Sequence, residues 1–319
     1  MSDGWPKVLQ PAQGPMRADK LDGAAEGMGA WGPESQALAA EGLVPPDMMT
    51  GLTLFILSNQ PKDPNKQKIP GGGGGVAGGV WVRERFTISS ALSRDEGFTV
   101  TGDSIGKHVH KGRRYGSNQS TTVNGAGVIV ARNLTTGLLA YKVDDELADQ
   151  VEGISPDTIE GYGPDHSVAG NNPHTAALAG LTPGMRFGGD EMLMSLAMMS
   201  ARDTKNPDNP IHSDPELAKK AGLSRPIAGG SHVLAFPLEL ILQAAGRYCL
   251  FHGAYVDVRW KAPVYADTPM FPSAEVMRTS LGLSGTTLVR SFAPVRSRPC
   301  MLSTAMAATT RIAPSQKRR

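Results

Sequence analysis

Apolar residues recur along this chain with two different periods, and the switch between them divides it into blocks. Residues 45–59, PPDMMTGLTLFILSN, carry an apolar run with Pro46 and Asp47 near its start, which predicts a helix. Behind it, 80–89 (VWVRERFTIS), 96–110 (EGFTVTGDSIGKHVH), 113–124 (RRYGSNQSTTVN) and 127–143 (GVIVARNLTTGLLAYKV) predict strands. They are rich in Val, Ile, Thr and aromatic residues, often in alternation. The order then repeats. Residues 189–203 predict a helix, or a strand followed by a helix. Residues 214–223 predict a short helix with acidic residues first and lysines late, and 230–246 a long apolar helix. Further strands are predicted at 254–264, 272–284, 286–295 and 301–312.

A helix followed by antiparallel strands, twice over, predicts a tandem α+β architecture. The repetition lies in element order and not in residue-by-residue identity. Residues 1–35 are rich in Gly, Pro, Ala and Met with little periodicity, and read as a loosely ordered arm. The polar, glycine-rich stretch 61–79 reads as a linker or lid, because no Lys-Ser/Thr pair follows its five consecutive glycines. Residues 144–180 are polar and turn-rich and read as a connection. The expected domains are 36–170 and 186–319.

Composition narrows the function. The chain has 319 residues, of which 40% are hydrophobic, enough to bury a core. A formal net charge of +2 gives no basis for a nucleic-acid or membrane partner. Its two cysteines, Cys249 and Cys300, fit a reducing compartment. The apolar run 232–246 contains Pro237 and Glu239 and is too short to span a bilayer. No basic-then-apolar leader opens the chain, so the expected location is cytoplasmic.

The chemistry-bearing stretch is 196–236, LAMMSARDTKNPDNPIHSDPELAKKAGLSRPIAGGSHVLAF. Two Asn-Pro pairs within 206–210 stiffen a loop that ends on His212. Gly229 and Gly230 then open the long apolar helix. His232 lies inside that helix and reads as a packed core residue. His108 and His110 share one strand face but lack a third ligand, so no metal is expected.

This run resembles the signature of MaoC-like (R)-specific enoyl-CoA hydratases. NPIHSD (209–214), AKKAGL (218–223) and RPIAGG (225–230) match it in order and spacing. RWKAPVYADTPM (259–270) resembles the strand and turn that follow. The resemblance covers most of 186–319; the first half resembles the degenerate first hot-dog of two-domain members by element order alone. It implies a double hot-dog: two central helices, each wrapped by an antiparallel sheet. It also implies hydration of a trans-2-enoyl thioester, or dehydration of a 3-hydroxyacyl thioester, with no cofactor. The substrate would be linked to CoA or to a carrier, and a homodimer is left open.

The chemistry of hydration says what such a site needs. Water must lose a proton and the α-carbon must gain one, so an imidazole and a carboxylate facing one water suffice. Charge on the thioester oxygen needs a fixed N–H donor, which a buried helix N-terminus supplies. The resemblance assigns His212 as the histidine, Gly230 as the donor and Gly229 as a point of close approach. Asn209 of NPIH is a candidate substrate contact, and Arg259 and Lys261, alternating on a strand beside the expected site, are candidates for contact with a substrate phosphate. One departure stands out. The family's acid precedes its histidine by five residues, and that position here is Pro207. Asp203, reached by a local insertion, or Asp208, one residue out of register, can replace it. The displaced acid also leaves open another hot-dog acid-base or hydrolytic enzyme, such as a thioesterase or dehydratase/isomerase, or a non-catalytic acyl-binding subunit.

Overall fold

The structure is a computed structural model that describes residues 4–61, 80–139, 145–160, 162–163, 180–203, 210–220, 223–279, 285–292 and 303–310. The chain opens with β1 (Lys7–Val8), β2 (Ala12–Gly14), α1 (Ala18–Met28) and α2 (Pro33–Ala40). A 3-10 turn at Pro46–Thr50 runs straight into α3 (Gly51–Ser58). The strands of the first half are β3 (Val80–Ile88), β4 (Phe98–His110), β5 (Arg113–Asn124), β6 (Ile129–Leu138) and the short β7 (Gln150–Gly153). The second half begins with β8 (Arg186–Gly188), β9 (Met192–Met194) and α4 (Leu196–Asp203). A 3-10 turn at Pro210–His212, α5 (Pro215–Lys220) and α6 (Gly230–Ala245) follow. The chain then enters β10 (Ala254–Arg259), β11 (Thr268–Met270), β12 (Ser273–Thr279), β13 (Gly285–Phe292) and β14 (Ser303–Thr310).

The two sheets implied by the repeat meet as one. Among the described residues 12 strands join in a sheet of order β1-β4-β5-β6-β3-β10-β14-β13-β12-β8, with β2 and β7 also on β4. The seam is the antiparallel pair β3–β10, in register from Ile88–Ala254 to Arg83–Arg259. The strands show why the pairing holds its register. Ala254, Val256 and Val258 are no more than 1% exposed, whereas the alternating Tyr255, Asp257 and Arg259 face the other way. A one-residue slip would turn that apolar row outward. Across the seam Arg83 grips Asp257 through Nε at 2.9 Å and Nη2 at 2.7 Å.

Helices α3 and α6 lie on the same side of this sheet. One hydrophobic cluster runs from Leu52, Ile56 and Phe86 in the first half to Phe236, Leu238 and Val258 in the second. The helices differ in length, 8 residues against 16.

The first 35 residues are not a loose arm. Leu21, Ala24 and Met28 of α1 are no more than 2% exposed. The glycines and alanines that hide any periodicity are contact residues. A Cβ at Gly27 would stand 2.6 Å from the Cβ of Arg202, so small residues let α1 lie directly on α4. Helix α2 is held from below by Glu239 in the middle of α6. That carboxylate, 1% exposed, accepts from Glu34 N at 2.7 Å, Ser35 N at 2.9 Å and Ser35 Oγ at 2.7 Å. It caps a helix N-terminus belonging to another element.

Candidate active site

The loop 210–212 and the start of α6 are built against each other. Residues 226–228 run extended beside 264–266, with Ala228 N on Val264 O at 2.7 Å and Ala266 N on Pro226 O at 2.8 Å. On the other side Ile227 N donates to Ile211 O at 3.3 Å. His212 Nδ1 then donates to Ile227 O at 2.7 Å. A carbonyl can only accept, so Nδ1 carries the proton and the lone pair of the neutral ring sits on Nε2. Ile227 is three residues before Gly230, which places the half-buried His212 at the entrance of α6. Asp214 steadies this corner by capping α5 through Glu216 N at 2.8 Å and Leu217 N at 3.0 Å.

Helix α6 starts at Gly230 with Gly229 as its N-cap and no side chain capping it. Its first-turn N–H groups have no intrahelical acceptor and carry the positive end of the helix dipole. The close approach expected at Gly229 is found at Gly230. A Cβ at Gly229 would meet nothing within 4 Å, but one at Gly230 would stand 3.1 Å from Trp260 Cε2. The Trp260 indole donates to Gly230 O at 3.1 Å and packs on Trp81 with ring centroids 5.9 Å apart. Trp260 is not among the residues that the sequence singles out; its signal there is an aromatic residue standing between Arg259 and Lys261.

Other expected residues fall elsewhere. Asp203 ends α4, and its side chain lies outside the described residues, as do Asp208 and Asn209. Arg259 is the register partner of Arg83 and lies on the sheet face away from α6, because β10 alternates and Val258 faces the helix. Lys261 is exposed and lies beyond the end of β10.

Around the site, buried polar groups join the halves. His232, 2% exposed, bonds through Nε2 to Gly27 O at 2.9 Å and stacks on Phe236. Burial first, then the nearby Arg202 guanidinium and His212, pushes its pKa down to about 3, so it is a neutral donor to Gly27. Arg202 in α4 pairs with Asp47 at the start of the first half's helix, both side chains being under 10% exposed at 7% and 3%. His108 stacks on Tyr115, and His110 bonds Asp149 at 2.8 Å. A cavity of about 390 Å³ lies between Trp31, Phe236, Leu240 and Pro272; His212 does not line it.

Two central helices on an antiparallel sheet, with a histidine fixed at the N-terminus of the longer one, define a double hot-dog with a candidate site in its second half. Residues 204–282 match the family model of the MaoC like domain, so the second half carries a MaoC-like domain. Domains of this class are associated with hydratases and dehydratases. A MaoC-like dehydratase superposes with a TM-score of 0.67 at 16% identity, over 96% of this chain and 99% of that one. A MaoC domain protein dehydratase from Chloroflexus aurantiacus gives 0.62 at 13% identity, over 97% of each chain. A Mycobacterium tuberculosis protein described as a double hot-dog gives 0.59 at 12% identity, over 94% of this chain and 96% of that one. Comparison with curated proteins finds no match. Among the described residues no helix is long and apolar enough to cross a membrane.

Proposed function

We propose that this protein adds water to a trans-2-enoyl thioester, or removes it from a 3-hydroxyacyl thioester. The observation that carries this reading is the bond from His212 Nδ1 to Ile227 O, which orients the ring beside the open N-terminus of α6. Nε2 of His212 takes the proton of the attacking water. Asp203, at the end of α4, is the partner acid that orients this water and returns a proton to the α-carbon. The Gly230 N–H stabilises the charge that grows on the thioester oxygen. Gly230 and Trp260 fit this role together, because the indole holds the first peptide of α6 in place. In this reading residues 36–170 form the degenerate half that shapes the acyl site, and 186–319 carry the chemistry. The two-cysteine composition favours a cytoplasmic setting. Cys249 is buried, and its thiol is pushed up to about 12.

The test is an absorbance assay on a conjugated enoyl-CoA with a parallel measurement of released thiol. Hydration consumes the conjugated chromophore without releasing thiol. His212→Ala should lower kcat by about 10²- to 10⁴-fold. Thiol release by the wild type would instead mark a hydrolase, and absence of both signals a binding protein.

A further inference from the structure

The sheet face beneath α3 sets a group of buried polar side chains among core residues such as Phe86, Ile88 and Ala131. Glu84, Thr122, Asn133 and Thr135 are each no more than 2% exposed. Asn133 Nδ2 donates to Glu84 Oε1 at 2.7 Å and to Met49 O, at the start of the helix, at 3.1 Å. Among the described residues, Thr122 Oγ1 and Asn133 Oδ1 meet no hydrogen-bonding partner, and Glu84 Oε2 and Thr135 Oγ1 have none but each other. Folded proteins keep few such atoms, so a group of them needs an explanation. Burial lifts the Glu84 carboxyl well above the usual carboxylate range, and Asn133 and Thr135 only partly offset this. A neutral carboxyl can both donate and accept. With Glu84 and Thr135 paired to each other, Asn133 Oδ1 and Thr122 Oγ1 still need partners.

The position of this cluster points to the acyl group. Glu84 faces Val258 across the β3–β10 seam, and Trp260 is two residues further on. Strand spacing of ~4.8 Å and rise of ~3.3 Å per residue put Glu84 about 8 Å from Trp260. Trp260 in turn lies on Gly230, so the cluster sits on the inner side of the sheet within reach of a chain leaving the α6 N-terminus.

We propose that Glu84, Asn133 and Thr135 are specificity residues that read a hydroxyl or carbonyl substituent on the acyl chain of the thioester. The inference rests on the thioester reading above. The substrate is then an oxygenated acyl thioester and not a plain hydrocarbon one.

The test compares trans-2-decenoyl-CoA with derivatives whose hydroxyl is walked along the distal carbons. It reads kcat/KM, together with calorimetric binding of the saturated counterparts, which needs no turnover. At least one hydroxylated thioester should be preferred by about tenfold, the worth of one good buried hydrogen bond. Thr135→Val, which keeps the side chain's shape, and Glu84→Gln should each bring that ratio towards one. If the plain thioester is bound and turned over as well as every derivative, buried water fills the cluster and the proposal falls while the hydratase reading stands. A preference that survives both substitutions also overturns it. If no thioester binds or reacts, the thioester reading itself fails and takes this inference with it.

Discussion

The second half lines the helix-covered side of its sheet with Ala254, Val256, Val258, Ala274 and Val276, none more than 1% exposed. The first half sets Glu84, Ser120, Thr122, Asn133 and Thr135 among Phe86, Ile88 and Ala131 on the matching side, equally buried. The helices follow the linings. Helix α6 spans 16 residues and buries Val233, Leu234, Phe236, Leu238 and Ile241; α3 spans 8 and buries Leu52, Thr53, Ile56 and Leu57. An apolar lining holds a helix by close packing, which suits the rigid first turn that the proposed chemistry asks of α6. A polar lining is a poorer core and a better reader of polar groups. On the readings proposed above, the same order of elements serves one half that holds a site rigid and one that discriminates.

If chemistry belongs to the second half alone, its acid must be found there. Asp203→Asn should lower kcat by about 10²- to 10⁴-fold, matching His212→Ala, while Asp208→Asn should change it little. Single-turnover hydration by the purified, folded variants checks this. A dead Asp208→Asn with an active Asp203→Asn would move the acid out of α4 and into the loop.

The next largest effect concerns His232. Its folded pKa of about 3 lies below the unfolded value of 6.5, so the unfolded chain binds the proton first as pH falls. Stability is therefore full above pH 6.5 and is lost as pH drops towards 3. The loss approaches roughly 5 kcal/mol at the acid end. His232→Gln keeps an amide donor for Gly27 O and cannot titrate. Urea unfolding from pH 7 to pH 4 should therefore show a smaller acid loss in the variant than in the wild type. Equal slopes would mean that His232 is charged in the folded protein.

The join between the halves has its own test. Asp47→Asn leaves the Arg202 guanidinium buried without its counter-charge, which should cost roughly 3 to 5 kcal/mol. Because Arg202 precedes Asp203, turnover should fall along with stability. A loss confined to stability would separate the join from the site.

What the sequence disclosed, and what it hid, follows from the range of each signal. Alternation is local, so the strands found at Val80–Ile88, Phe98–His110 and Arg113–Asn124 were visible within a residue or two. Helix α6 was visible because its apolar run is long. The loop around Pro210–His212 was legible through its prolines and its resemblance to a known signature. The seam between β3 and β10 was not, because each strand alternates the same way whether it ends a sheet or joins two. Helix α1 was hidden by glycines whose purpose, such as Gly27 against Arg202, depends on a partner 175 residues away. The facing of Arg259 was not legible, because it depends on which neighbour is buried. Glu84 passed as an ordinary charged residue of VWVRERFTIS, since no local pattern reveals that the position opposite is Val258.

The smallest effect sharpens the contrast, because each half holds a buried neutral titratable group and their pH dependences run in opposite directions. Glu84 has a folded pKa well above its ordinary value of 4.5, caused first by burial. Below pH 4.5 both folded and unfolded chains carry the proton and nothing is lost. Above it the unfolded chain ionises while the folded one does not, so stability falls as pH rises, by about 1.4 kcal/mol per unit, until the folded carboxyl also ionises. Glu84→Gln keeps the acceptor for Asn133 Nδ2 and removes the titration. Wild type and variant should have matching urea midpoints at pH 4. The variant should be more stable by about 1 kcal/mol near pH 5.5, over the same range in which the wild type is regaining stability from His232. If Glu84→Gln instead destabilises the protein equally at both pH values, the carboxyl is ionised in the fold. The first half would then hold a buried charge, and its lining would need a cation rather than an acyl hydroxyl to complete it.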